Sequence, residues 1–131
     1  ERADEIVNKR RDIFNWYADN LSDISDIYLN PEPHGTLNCY WQPTVILGDS
    51  YKIDLERRNS IIMDFNSKNI ALRPLFYPVS KFPMYESDKT NTVSWDIYFR
   101  GFNLPSYFEL SSSDVSYVCN EFIKEIDDLK Q

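Results

Sequence analysis

The residues best suited to chemistry lie in one stretch, where a single cation is followed by prolines and aromatic rings. It reads Arg73-Pro74-Leu75-Phe76-Tyr77-Pro78 and is followed by Phe82-Pro83-Met84-Tyr85. Because each proline disfavours helical backbone in the residue before it, Arg73 and Tyr77 are expected to be extended. A guanidinium and a phenol held rigidly suit the binding of an anion or a sugar. The alternative is that Arg73 ends a strand at the surface and that the aromatic rings belong to the core.

The composition indicates one globular domain spanning residues 1–131. The chain has 131 residues, of which 42% are hydrophobic and 15% aromatic, enough to build a core. Its net charge is −7, and this argues against nonspecific nucleic-acid binding, which needs a basic surface. An anionic small ligand stays possible, because one local arginine can bind it.

Histidine and cysteine are too scarce for a metal site, so we predict none. His34 is the only histidine, and it lies in a Pro-Glu-Pro-His-Gly segment typical of a loop. Cys39 and Cys119 lack metal-binding or CxxC spacing and are expected to be buried, reduced thiols of a cytoplasmic protein, although a single disulfide stays open. No stretch is apolar and long enough to span a membrane.

The elements that must position these residues alternate in a way that indicates an α+β fold. The hydrophobic periodicity predicts helices over 3–21, 53–68, 92–100 and 112–129 and strands over 37–47 and 70–76. We expect a small antiparallel or mixed sheet with a βαβ-like unit, covered by helices. Pro43 places the first strand at an edge or a bulge.

Several local signals refine these boundaries. Asp54 or Ser50 is expected to cap the second helix, and Asn69 to end it in the left-handed conformation. Gly101 is expected to cap the third helix, whose inward positions are Val93, Ile97 and Tyr98. Ser111 and Asp114 have the spacing of a capping box, and the stripe Val115, Val118, Phe122, Ile126 and Leu129 predicts the buried face of the last helix. The cluster Lys9-Arg10-Arg11 is expected to be a solvated helix face.

Taken in order, these pieces resemble the C-terminal small domain of the DegT-type, pyridoxal-phosphate-dependent sugar-nucleotide aminotransferases. The similar segments are the opening helix, Asn38-Cys39-Tyr40-Trp41, Asn69 to Pro78, Phe82 to Tyr85, Gly101 to Ser106 and the final helix. The Arg-Pro-Leu-Phe-Tyr-Pro form is most similar to the perosamine-synthase branch, which aminates the 4-keto carbon of a GDP-linked 6-deoxy sugar. The family often has glycine where this chain has Asn69.

The resemblance implies a fold like the small domain of fold-type I aminotransferases, with a linking helix and loop over 1–30 and the domain body over 37–131. The catalytic large domain would then be absent, so no catalytic or cofactor-binding residue is assigned in this chain. In the full-length enzyme, pyridoxal phosphate would serve the transfer of an amino group from glutamate to a keto-deoxysugar nucleotide for polysaccharide or glycan biosynthesis. A cytoplasmic homodimer without nucleic-acid or membrane partners is expected.

The resemblance also gives the candidate substrate-binding residues their roles. Arg73 would face an anion, either the nucleotide diphosphate or the carboxylate of the amino donor. Tyr77 would hydrogen-bond a sugar hydroxyl, and Tyr85 would stack on the substrate or close the pocket. A structural ion pair for Arg73, and core packing for both tyrosines, are the alternatives. Two other functions stay open: a stand-alone binding module that kept the fold, and a sugar dehydratase of the same family.

Overall fold

The computed structural model describes residues 2–85, 90 and 92–130, so positions 1 and 131, which bound the predicted domain, lie outside it. The helices of the described chain are α1 (Ala3–Leu21), α2 (Leu55–Ser67), α3 (Thr92–Ile97) and α4 (Ser112–Asp127). The strands are β1 (Ile27–Leu29), β2 (Thr44–Leu47), β3 (Arg73–Pro74) and β4 (Gly101–Asn103), and a 3₁₀ turn covers Val79–Lys81.

The four strands form one sheet in the order β1-β2-β4-β3, and every neighbouring pair is antiparallel. Since β4 is antiparallel to both β2 and β3, those two strands run parallel to each other with β4 between them. The predicted βαβ-like unit is therefore present in split form, with α2 as the crossover and β4 inserted. This arrangement confirms the predicted α+β class and selects the antiparallel sheet.

The core lies between the sheet and the helices. Ile13, Tyr17 and Leu21 of α1 are buried, as are all five predicted stripe residues of the last helix. The ring of Phe122 meets the rings of Phe65 and Phe102 edge-on, at centroid distances of 6.3 and 5.4 Å. One aromatic side chain of α4 thus contacts both α2 and the central strand β4.

The helix signals in the sequence are largely confirmed. Helix α1 has its predicted bounds, and Ile6 in its first turns is 40% exposed. Asp54, rather than Ser50, caps α2 by accepting from the Arg57 amide at 2.8 Å. Asn69 ends α2 with a φ of 60°, the left-handed conformation predicted for it. The capping box of Ser111 and Asp114 is complete.

The strand predictions were too long. Residues 37–43 are irregular, because the side chains of Asn38 and Asn30 accept from the backbone amides of Tyr40 and Thr44 in place of a strand partner. Tyr40 also has a positive φ of 45°, which a strand does not allow. Within the predicted strand over 70–76, only Arg73–Pro74 is a strand, and the short strands β1 and β4 were not predicted.

Three further expectations were wrong. Gly101 lies in β4 and is not a helix cap; a Cβ there would come within 2.9 Å of the Leu75 Cβ and 3.1 Å of the Ile97 carbonyl oxygen, so close packing requires glycine. Val93, expected to face inward, is 71% exposed. Cys39, expected to be buried, is exposed, whereas Cys119 is buried, and both thiols are free. His34 is exposed in its loop as expected.

Candidate functional site

A cavity of about 400 Å³ lies where β3 and β4 meet the loop before β2. Its lining comes from the segments 41–42 and 73–77, with Arg58 of α2, Tyr98 after α3 and Asn103 of β4. This volume is within the range of small-ligand sites in proteins. The split βαβ unit therefore brings residues that are far apart in sequence to one end of the sheet.

Arg73 lines this cavity from β3, opposite Asn103 of β4. Its side chain is exposed, and it has no hydrogen-bond or ion-pair partner among the residues that the structure describes. The ion pair considered from the sequence is thus missing from the described part of the chain. An unpaired guanidinium on a short, proline-fixed strand is free to accept an anionic ligand.

Tyr77 lines the same cavity and is 48% exposed. Its ring packs edge-on against Phe82 and Tyr98, with centroid distances of 5.2 and 5.5 Å. Packing on two sides fixes the direction of the ring while half of its surface stays open. Tyr77 therefore packs on neighbouring rings at the edge of the cavity, and its contact with a sugar hydroxyl stays a prediction.

Tyr85 is not brought to the lining of this cavity. It is 54% exposed, and its backbone amide donates to the Phe82 carbonyl at 3.0 Å in a turn. Its proposed substrate contact has no geometric support from the described residues and stays a prediction.

Arg58 is the lining residue that sequence reasoning missed. Its spacing with Ile61 and Phe65 puts it on the apolar face of α2, and it is buried, with 7% of its surface exposed. Nη1 donates to the Tyr98 carbonyl at 2.8 Å, and Nε and Nη2 donate to Asn59 Oδ1 at 3.1 and 2.9 Å. Burial lowers the pKa of this guanidinium. The available signal was a charged residue at apolar-stripe spacing with Ile61 and Phe65.

Asn103 forms a polar crosslink between strands beneath the cavity. It is 3% exposed, its Oδ1 accepts from the Thr44 hydroxyl at 2.8 Å, and its Nδ2 donates to the Pro74 carbonyl at 3.0 Å. One side chain thereby joins β2, β4 and β3. These bonds fix the position of β3, and with it the backbone of Arg73, relative to β2 and β4.

One wall of the cavity carries Trp41, whose ring lies nearly parallel to that of Phe76 with a centroid distance of 6.2 Å. The Trp41 carbonyl accepts from Arg10 Nη1 at 2.6 Å and from the Ser106 hydroxyl at 3.1 Å. Two independent donors therefore hold this wall in place.

Arg10 and Arg11 of α1 hold the loop that carries Trp41 and Lys9 contacts the segment before α4, which corrects the prediction of a solvated face. Arg11 pairs with Glu32 at 2.6 Å and donates to the Asn38 carbonyl at 2.5 Å, and Lys9 donates to the Leu110 carbonyl at 2.9 Å. The guanidinium of Arg11 and the Asn38 amide lower the pKa of Glu32 to about 2. Tyr40 stacks on Phe14 at 3.6 Å between centroids and completes the attachment.

The chemistry available to this cavity is binding. Among the described residues, its lining contains two guanidiniums, a phenol at each of Tyr77 and Tyr98, two side-chain amides and apolar surface, but no lysine, histidine or carboxylate. This described lining does not fit pyridoxal phosphate, which needs a lysine amine and a carboxylate for its ring nitrogen. No group of three metal-ligating side chains occurs among the described residues. None of their helices has the length and apolar character of a membrane span.

Comparison with known proteins gives a consistent result over nearly the whole chain. The sequence profile of the DegT/DnrJ/EryC1/StrS aminotransferase family matches residues 1–123. GDP-perosamine synthase of Escherichia coli O157:H7 is 30% identical over 129 residues, covering 95% of this chain and 34% of that protein. GDP-perosamine synthase of Vibrio cholerae is 32% identical over 123 residues, covering 92% of this chain and 32% of that protein.

Solved structures agree on the fold. Spr1654 of Streptococcus pneumoniae, assigned as a sugar aminotransferase and solved in its PLP form, superposes with a TM-score of 0.82 at 21% identity, covering 99% of this chain and 33% of that one. The chain thus spans about a third of the length of the relatives it matches.

Proposed function

Because this chain belongs to the DegT/DnrJ/EryC1/StrS aminotransferase family, we propose that it is the small domain of an enzyme that aminates a keto-deoxysugar nucleotide. In the overall reaction glutamate gives its amino group to the keto carbon of the sugar, and 2-oxoglutarate and the amino sugar nucleotide are the products. Pyridoxal phosphate supplies the electron sink for this exchange when it is bound in the full-length enzyme.

The observation that carries the proposal is the cavity beside β3, which combines exposed aromatic faces with two guanidiniums that have no carboxylate partner among the described residues. Arg73 and Arg58 supply the cations, and Trp41 and Phe76 are 58% and 63% exposed. A sugar nucleotide presents the matching groups, namely a diphosphate, hydroxyls and flat rings. The GDP-perosamine synthases among the relatives favour a GDP-linked 4-keto-6-deoxy sugar as substrate.

In this proposal Arg73 contacts an anionic group of a substrate, Tyr77 donates to or accepts from a sugar hydroxyl, and Tyr85 completes or closes the pocket. The catalytic lysine and the cofactor belong to the remaining two thirds of the enzyme. The domain division at 1–30 and 37–131, the homodimer and the cytoplasmic location are part of the same proposal. The binding-module and dehydratase alternatives have no observation in their favour.

The test of the function is an assay of the full-length natural gene product with a GDP-linked 4-keto-6-deoxy sugar and glutamate. Mass spectrometry should detect conversion of the keto sugar into an amino sugar, with 2-oxoglutarate formed in equal amount. A full-length product without a lysine-bearing large domain, or loss of the sugar hydroxyl without nitrogen gain, would refute the proposed transamination.

The role of Arg73 is tested by Arg73→Ala in the same full-length enzyme. Loss of a charge-assisted hydrogen bond, which contributes about 1.5–3 kcal/mol, should raise the KM of the affected substrate about tenfold or more. Arg57→Ala is the matched control, since Arg57 pairs with Glu125 and does not line the cavity. Unchanged kinetic constants for both substrates would eliminate Arg73 from binding.

A further inference from the structure

Arg58 carries a charge that the described chain does not neutralise. It is nearly excluded from water, yet no carboxylate among the described residues lies within ion-pair distance of it. Its partners are a backbone carbonyl and the amide oxygen of Asn59, both neutral. A buried charge without a counter-charge is costly, by several kcal/mol in general. Such an arrangement is typical of a group kept for a ligand of opposite charge.

The guanidinium also has donors left over. It has five N–H groups, and the described hydrogen bonds engage one on Nε, one on Nη1 and one on Nη2. One N–H on each terminal nitrogen is therefore unused. Because the bonds to Asn59 and Tyr98 fix the plane of the group, the two remaining donors are held in fixed directions before a ligand binds.

A second guanidinium lines the same cavity. Arg73 is exposed and has no partner among the described residues, and none of the described lining residues is a carboxylate that would compete for either cation. This local excess of positive charge occurs in a chain whose net charge is −7. Two separate guanidiniums offer more donors than a single carboxylate can accept, whereas a diphosphate has two anionic groups and can engage both.

We propose that Arg58 and Arg73 together bind the diphosphate group of the nucleotide substrate, with the exposed faces of Trp41 and Phe76 beside it. This inference rests on the proposed function and deepens it: it adds Arg58 to the site and assigns Arg73 to the diphosphate instead of the carboxylate of the amino donor. Arg58 is thus a binding residue that α2 holds in position.

The test begins with inorganic pyrophosphate and glutamate, each titrated into the chain by isothermal calorimetry. Pyrophosphate should bind, and Arg58→Gln and Arg73→Gln should each weaken its Kd at least tenfold. Arg57→Gln, which changes the neighbouring arginine outside the cavity, should leave the Kd within twofold. Glutamate binding that depends on Arg58 or Arg73, with no effect of either on pyrophosphate, would overturn the proposal.

A second substitution at Arg58 distinguishes a loss of pyrophosphate binding from a loss of folding. Far-UV circular dichroism checks Arg58→Gln, which loses the hydrogen bond to Tyr98. If Arg58→Gln is unfolded, Arg58→Lys replaces it, because lysine keeps the positive charge but lacks the planar, forked donors of a guanidinium. Arg58→Lys should weaken pyrophosphate binding severalfold. An unchanged Kd in folded Arg58→Lys and Arg73→Gln would overturn the proposal.

The full-length enzyme separates this inference from the proposed function. If it aminates the sugar nucleotide and Arg58→Gln leaves the KM for that substrate unchanged, the diphosphate site is refuted while the function stands. If pyrophosphate binding depends on both arginines but no sugar nucleotide is aminated, the proposed function fails and the diphosphate site is supported.

Discussion

Glu32 is the residue through which α1 holds the loop that carries Trp41. Both Arg11 and the amide of Asn38 contact its carboxylate, at 2.6 and 2.7 Å, and both contacts favour the ionised form. The loop is therefore fixed by a charge, and its attachment must depend on pH.

The stability that Glu32 contributes should disappear in acid. Its pKa is lowered from 4.5 in the unfolded chain to about 2 in the folded protein. The contribution is therefore complete above pH 4.5 and is lost as the pH falls from 4.5 through about 2. Thermal unfolding of the wild type and Glu32→Gln between pH 7 and pH 2 should give melting temperatures that differ at pH 7 and converge near pH 2.

Asp12→Asn is the control for this measurement, since Asp12 is exposed on the same helix and no described contact involves it. Its difference from the wild type should not change in the same way with pH. A constant difference for Glu32→Gln across the whole range would contradict the role given to the ion pair.

Residue types alone could point to Arg73 and Tyr77, which line the cavity, because prolines and aromatic rings lie next to them in sequence. They could not identify Arg58, which reaches the cavity only because α2 crosses from β2 to β3 and turns one side toward Tyr98. In the sequence Arg58 is a charged position in an apolar stripe. Whether such a residue is paired, solvated or held for a ligand depends on contacts made 40 residues away.

At the scale of the elements, α4 shows how a short signal can fix a helix start. The Ser111 hydroxyl accepts from the Asp114 amide, and the Asp114 carboxylate accepts from the Ser111 amide at 3.0 Å. These reciprocal bonds satisfy two of the amides left free at the first turn. Since α4 supplies Phe122 to the core, the cap stabilises more than the helix itself.

Ser111→Ala should therefore destabilise the protein by about 1 kcal/mol, the usual effect of losing a helix cap. Ser112→Ala, at the exposed first residue of the helix, is the matched control and should change stability by less than about 0.5 kcal/mol. Urea denaturation followed by circular dichroism measures both. Equal effects of the two substitutions would show that the capping box contributes nothing specific.

The helices of this fold could be predicted from sequence patterns better than its strands. Helices α1, α2 and α4 were predictable within two residues because local periodicity and capping determine them. The strands were not, because β1, β3 and β4 contain only two or three residues, and their pairing is set by contacts distant in sequence. The aromatic residues Tyr40 and Trp41 give segment 37–43 a strand-like composition, yet the side chains of Asn30 and Asn38 accept hydrogen bonds from the backbone amides of Thr44 and Tyr40 and direct the backbone elsewhere.

The whole molecule has one continuous core, formed by residues from all four strands or their flanking segments and from α1, α2 and α4. A single domain, as predicted for this chain, should unfold in one cooperative transition. Trp16, Trp41 and Trp95 report on three different parts of the chain, whereas far-UV circular dichroism reports on all helices together. The two signals should give the same urea midpoint.

Phe122→Ala should shift both midpoints together, with a loss of about 3–5 kcal/mol for a fully buried phenylalanine. Tyr117→Ala, on the exposed side of the same helix with 52% of the residue exposed, should have a small effect. Separate midpoints for fluorescence and circular dichroism would contradict the single-domain prediction.

The position of Pro74 has a consequence for how copies of this molecule meet one another. The Leu75 amide donates to the Gly101 carbonyl at 3.1 Å, so alternation along the strand directs the nitrogen of Pro74 away from β4, toward the open side of the sheet. That nitrogen has no hydrogen to donate to an incoming strand. The edge that presents Arg73 is therefore protected against edge-to-edge aggregation by the same proline that holds Arg73 extended.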